Sequence, residues 1–304
     1  MASVLEAVRR ADRPTFYSMS VEQARLAYEA ASEVLELPRA PLARVENFSI
    51  AASDGSPLRA RLYAASKDAL PIALYLHGGG FTIGNLETHD SLCRQLAKRS
   101  GAAIVAVEYR LAPEHRFACA VLDSWSALQW LAQHGSAALG LDATRLAVAG
   151  DSAGGTLAAV CAIQARDAAL PLRLQILITP GTAPRQDSDS HRRFATGFLL
   201  EAAGIEWFFN HYIDSDRRTD WRFAPLNAPD LGGVAPACVI VAECDPLVDE
   251  GLAFADRLRL SRVPVRLKHY RGVTHDFIKM GRALPEAPAV QAVIAQCLQE
   301  AFSA

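Results

Sequence analysis

Apolar and polar positions follow two different periods along this chain. Within residues 1–45, Leu26, Ala27, Ala30, Ala31, Val34 and Leu35 recur at helical spacing. Ser20 followed by Gln23 has the spacing of a capping box, and Pro38 and Pro41 close the segment. This predicts an amphipathic helical start with no strand before residue 45. From there the period shortens to two. Residues 45–50 and 58–63 alternate on either side of Ser53-Asp54-Gly55-Ser56-Pro57, which predicts a hairpin at one edge of a sheet.

Beyond the hairpin, short runs rich in Val, Ile and Leu lie at 72–76, 103–107, 146–149, 172–178, 237–241 and 265–270. Helical patterns separate them: about 88–100 (stopped by Gly101), a face marked by Val121, Trp125, Leu128 and Ala132, then 156–163, about 247–261 and about 287–302. Apolar strands alternating with helices predict an α/β fold with a mostly parallel, eight-stranded sheet covered on both faces. The stretch 182–224 breaks this rhythm. Residues 186–190 read as a loop, and Phe194, Phe198, Leu199, Trp207, Phe208 and Phe209 as an aromatic helical region. Either it packs on the sheet, or it joins the N-terminal helices as a lid over the carboxyl ends of the strands, where ligands of open α/β sheets bind.

Composition narrows the class. A chain of 304 residues with 51% hydrophobic side chains can bury one large core, and a second independent domain is not required. Charges nearly cancel, at 31 basic against 33 acidic, and no basic stripe argues for nucleic acid. No uninterrupted apolar run approaches the roughly 18 residues of a membrane span. The first ten residues lack the apolar centre of a secretory signal. The six cysteines show no C-x-x-C spacing, so neither a zinc site nor a disulfide frame is expected, and the expected setting is a reducing cytoplasm.

The chemistry centres on Gly150-Asp151-Ser152-Ala153-Gly154-Gly155, between an apolar strand and a buried helix. This is the G-x-S-x-G corner, where small neighbours permit a strained turn that lifts a serine hydroxyl to the strand end. Acyl transfer at such a serine needs a base, a carboxylate to orient it, and N–H donors for the oxyanion. In the chain order Ser, Asp, His, the candidates are Asp245, after the 237–241 strand, and His275, after the 265–270 strand. Asp249 is the rival acid, a helical turn further on. Upstream, His77-Gly78-Gly79-Gly80 follows the 72–76 strand and reads as one side of an oxyanion hole. His89, His115, His134, His191, His211 and His269 show no metal-ligand spacing.

With Tyr109-Arg110-Leu111-Ala112-Pro113-Glu114-His115, Asp245-Pro246-Leu247-Val248-Asp249-Glu250 and His275-Asp276-Phe277 added, the chain resembles the bacterial hormone-sensitive-lipase-like family of α/β-hydrolase carboxylesterases over nearly its whole length. The resemblance implies Ser152 as nucleophile, His275 as general base and acid, and Asp245 as the orienting carboxylate. It implies Gly79, Gly80 and Ala153 as oxyanion-hole donors. It further implies a catalytic domain over 46–304, capped by residues 1–45 and about 182–224, that uses no metal or cofactor. The implied substrate is a small ester of short to medium acyl chain, about C4–C8. It also implies a homodimer pairing through an edge strand, which would place residues 265–270 at the interface. His77, Tyr109, Arg110 and Glu114 resemble structural parts of the loops beside the site. One departure stands out: Asp276 occupies a position where glycine is commoner. A small-amide hydrolase would use the same triad, and a ligand receptor built on such a scaffold would have lost the base that is present here.

Overall fold

The computed structural model describes residues 1–303. In chain order its elements are α1 (Ala2–Ala11), α2 (Val21–Ser32), β1 (Arg44–Ala51), β2 (Pro57–Ala64), β3 (Pro71–Leu76), α3 (Asp90–Ser100), β4 (Ala103–Glu108), α4 (Cys119–Leu139), β5 (Asp142–Asp151), α5 (Ala153–Asp167) and β6 (Leu174–Ile178). Then follow α6 (Asp189–Arg193), α7 (Ala202–Tyr212), β7 (Ala237–Cys244), α8 (Val248–Leu260), β8 (Val265–Thr274) and α9 (Glu286–Ser303). The eight strands form one sheet in the order β1-β2-β4-β3-β5-β6-β7-β8. Only the β1–β2 and β2–β4 pairs are antiparallel; from β4 through β3 to β8 every pair is parallel.

The period-two pattern sorts side chains onto two faces. Along β3, Ile72, Leu74 and Leu76 face one core with Leu128 of α4, Leu157 of α5 and Phe254 of α8. Ala73 and Tyr75 face the other with Leu92 and Leu96 of α3 and Ile294 and Leu298 of α9. Both faces are thus covered, as continuous apolar strands require. Gly101 ends α3 in the left-handed region at φ 70°, with its N–H on the Ala97 carbonyl, the conformation glycine adopts without a Cβ clash.

Two local expectations need correction. Residues 1–45 are not continuously helical: α1 stops at Asp12, a single 3₁₀ turn spans Phe16–Ser18, and 34–43 contain no helix. The Ser20–Gln23 capping box does start α2, but Leu26 and Val34 are 66% and 64% exposed, while Ala24 is the buried residue. Arg25 explains the rotation. Its guanidinium reaches the Thr82 and Ala112 carbonyls and the Glu114 carboxylate, so Arg25 and Ala24 turn inward while Glu22, Gln23 and Glu29 stay exposed. Likewise Asp189 and Ser190 belong to the short helix α6 rather than a loop, capped by Ser188 on the His191 N–H. The aromatic stretch becomes helical only from Ala202.

Candidate active site

The motifs meet at one rim. Ser152, Asp245 and His275 are each the first residue beyond a parallel strand, β5, β7 and β8 respectively, and His77 is the first beyond β3. Adjacent parallel strands carry these ends side by side at the carboxyl edge of the sheet.

Ser152 sits at the β5–α5 corner with φ 53° and ψ −121°, outside the regions a residue with a side chain ordinarily adopts. Its N–H is tied to the Ile178 carbonyl of β6 at 2.8 Å. Small neighbours are obligatory here. A Cβ on Gly154 would lie 1.9 Å from the Leu76 carbonyl oxygen, and one on Gly150 would lie 2.2 Å from that of Gly154. Since both obstacles are backbone, Gly154→Ala should destabilise the fold by about 2–3 kcal/mol or more. Urea or thermal unfolding checks this; an unchanged midpoint would contradict the packing just described. Ser152 heads α5, yet its hydroxyl makes no capping bond, which leaves it for the imidazole.

The Ser152 hydroxyl lies 2.9 Å from His275 Nε2, and His275 Nδ1 lies 2.8 Å from Asp245 Oδ2. An ionised carboxylate only accepts, so Nδ1 carries the hydrogen, and in the neutral ring Nε2 is left to accept from Ser152. Asp245 is fully buried, and its other oxygen accepts the Leu247 N–H at 2.9 Å. Burial alone would lower the His275 pKa, but the adjoining Asp245 carboxylate raises it, with smaller contributions from Asp276 and Asp151. Asp249, the rival acid, points elsewhere: its Oδ2 accepts the Ser190 N–H at 2.7 Å and anchors α6.

The glycine loop closes the opposite side. Gly79 and Gly80 adopt φ 122° and 57°, and among the described residues no backbone carbonyl accepts the N–H groups of Gly79, Gly80 or Ala153. All three residues line the same pocket as Ser152 and His275. His77 stacks on Tyr109 with ring centroids 4.3 Å apart, and the Tyr109 hydroxyl donates to the His77 carbonyl at 2.7 Å. Burial, helped by nearby His89, lowers the His77 pKa to about 3, so a neutral ring braces the loop. Arg110 is paired with Asp123 and Asp54, and Glu114 with Arg25, both away from the hydroxyl.

Several supporting residues escaped the sequence reading. Asp151, wholly buried, accepts from the Tyr75 hydroxyl at 2.7 Å and lies 3.2 Å from His89 Nε2. Burial opposes its charge, yet these partners keep it ionised, well below the usual carboxylate range. Glu250 accepts the Thr182 and Ala183 N–H groups, each at 3.0 Å, and so fixes the chain entering the 182–224 stretch. Both stand inside motifs, which was the available signal. Arg25, which ties α2 to the loops after β3 and β4, had none.

The pocket, about 110 Å³, is walled by both segments outside the alternating pattern. Phe16 and Tyr28 come from the N-terminal part, and Leu200, Ile205, Phe208 and Phe209 from the second. Tyr17 joins the two by donating to Glu201 at 2.9 Å. Among the described residues, no helix is long and apolar enough to cross a membrane.

Known proteins share this fold. Residues 73–279 match a family described as having the alpha/beta hydrolase fold. The ethyl acetate hydrolase of Pseudomonas putida is 40% identical over 293 residues, covering 93% of this chain and 91% of that protein. Carboxylesterase NlhH of Mycobacterium tuberculosis is 36% identical over 81% of this chain and 79% of its own. Among solved structures, the hyperthermophilic esterase from Pyrobaculum calidifontis superposes with a TM-score of 0.93 at 36% identity, covering 99% of this chain and 97% of that one. The LAE6 Ser161Ala mutant, an alpha/beta hydrolase enzyme from the metagenome of Lake Arreo, Spain, gives 0.93 at 37%, covering 99% and 96%. The chain belongs to the α/β-hydrolase fold family and, within it, to the hormone-sensitive-lipase-like carboxylesterases.

Proposed function

We propose that this protein hydrolyses esters of short to medium acyl chain through Ser152, His275 and Asp245. The observation that carries the reading is the unbroken hydrogen-bonded succession Asp245–His275–Ser152 opening into an apolar pocket. In the first half-reaction His275 Nε2 takes the Ser152 proton as Oγ attacks the ester carbonyl. The imidazolium formed is held by Asp245, and the carbonyl oxygen becomes an anion facing the Gly79, Gly80 and Ala153 N–H groups. His275 then returns the proton to the departing alcohol. Water repeats the sequence on the acyl-serine and releases the acid.

Residues 1–45 and 182–224 act in this reading as a cap over the catalytic domain. The aromatic wall from the second segment, Phe208 and Phe209, encloses the acyl chain, which favours about C4–C8 over long chains. A series of p-nitrophenyl esters should therefore peak in kcat/KM within that range. A maximum at C16 would overturn the chain-length assignment.

The pH profile follows from the histidine. His275 must be neutral to act as base, and Asp245 holds its pKa above the ordinary histidine value. The acidic limb of kcat/KM should accordingly lie above about pH 6.5, with the rate still climbing at pH 7. A limb at or below pH 6 would mean that the Asp245 carboxylate does not govern the base.

A further inference from the structure

The Asp276 carboxylate has no role in the scheme above. It lines the pocket with its side chain 30% exposed, and its Oδ1 lies 3.9 Å from His275 Nε2. Among the described residues, no lysine or arginine nitrogen comes within 4.0 Å of it. Its backbone occupies the left-handed region at φ 61°, where glycine would be the least strained choice. We propose that Asp276, with the rings of Phe16 and Tyr28, forms a subsite for the alcohol half of the ester that selects alcohols bearing a permanent positive charge, such as quaternary amino alcohols. This rests on the esterase reading above.

The placement follows from the histidine. Nε2 delivers its proton to the leaving alcohol oxygen, so a group beside Nε2, other than the serine, borders the space that alcohol occupies. A cationic nitrogen two carbons beyond the ester oxygen then falls within reach of the carboxylate. Phe16 and Tyr28 line the same pocket, packed edge to face with centroids 5.9 Å apart. Aromatic faces attract alkylammonium groups through the ring quadrupole. The nearby cation does not cancel this field by pairing with Asp276. The Lys279 ammonium is buried against the Tyr28 ring at 4.7 Å, donates to the Tyr28 hydroxyl at 3.1 Å, and lies 3.5 Å from Glu36.

The test compares acetylcholine with its uncharged carbon isostere, 3,3-dimethylbutyl acetate, on the full-length protein. The quantity read is the ratio of their kcat/KM values. Asp276→Asn keeps the size and tolerates the left-handed backbone, and should lower the charged-to-neutral ratio about 3- to 10-fold. Phe16→Leu should lower it about 2- to 5-fold by removing the ring while keeping an apolar side chain. High salt should lower the ratio in the parent and leave it unmoved in Asp276→Asn. An unchanged ratio in Asp276→Asn overturns the subsite even if both esters are cleaved. Failure of the parent to cleave either these acetates or the p-nitrophenyl esters would instead overturn the esterase reading.

Discussion

Ser152→Ala should lose about 10⁴- to 10⁶-fold in kcat on a C4–C8 ester while keeping its unfolding midpoint. The size of the effect follows from the division of labour at the rim. In the proposed reaction no acyl-enzyme forms without Oγ, and what remains is the stabilisation that the N–H groups and the pocket offer to attack by water. The fold should survive because the hydroxyl holds nothing up: it makes no helix cap, and its partner at 2.9 Å is His275. The strained φ of 53° is shared by any residue at the corner, and alanine meets no new atom there. A fluorophosphonate probe should label the parent and not the variant. If turnover stays within tenfold of the parent, the nucleophile lies elsewhere. Thr156 would be a poor replacement, since its hydroxyl in the same pocket is already committed to the Gly181 carbonyl at 2.6 Å.

How much of this was legible beforehand divides along physical lines. Strands buried on both faces announce themselves by composition, so β3 to β7 lie where continuous Val, Ile and Leu runs put them, though β5, β7 and β8 run several residues longer and β6 starts later than its run. The candidate site was legible for a related reason. Ser152, Asp245, His275 and the glycines after His77 each sit on a short connection at a strand end, and the order of parallel strands brings strand ends together. The segments walling the pocket were not legible in the same way. Their helices are short, and α2 turns its charged Arg25 toward carbonyls of neighbouring loops while Leu26 faces solvent. An apolar-stripe reading assumes the opposite orientation and fails there. Buried polar partners are harder still. Tyr75 reads as one more apolar strand residue, yet its hydroxyl meets Asp151, a residue 76 positions away, and local pattern carries no record of that contact.

Asp245→Asn should lower kcat about 10⁴-fold while leaving KM for a neutral ester nearly unchanged. The reason is tautomeric rather than steric. Asparagine fills the same volume and can still accept the Leu247 N–H that Asp245 Oδ1 now takes at 2.9 Å. Its amide nitrogen, however, is then turned toward His275 Nδ1, and a donor there forces the imidazole hydrogen onto Nε2. The Ser152 hydroxyl then faces a donor in place of an acceptor and cannot shed its proton. Removing the negative charge also removes the main influence raising the His275 pKa, so the acidic limb of the residual activity should move to lower pH. Asp249→Asn supplies the contrast. Its carboxylate serves the Ser190 N–H at the start of α6, so the change should loosen that anchor and reduce kcat/KM no more than about tenfold. A fully active Asp245→Asn beside an inactive Asp249→Asn would reverse the assignment, and the 2.8 Å contact with His275 would then be a packing contact without catalytic consequence.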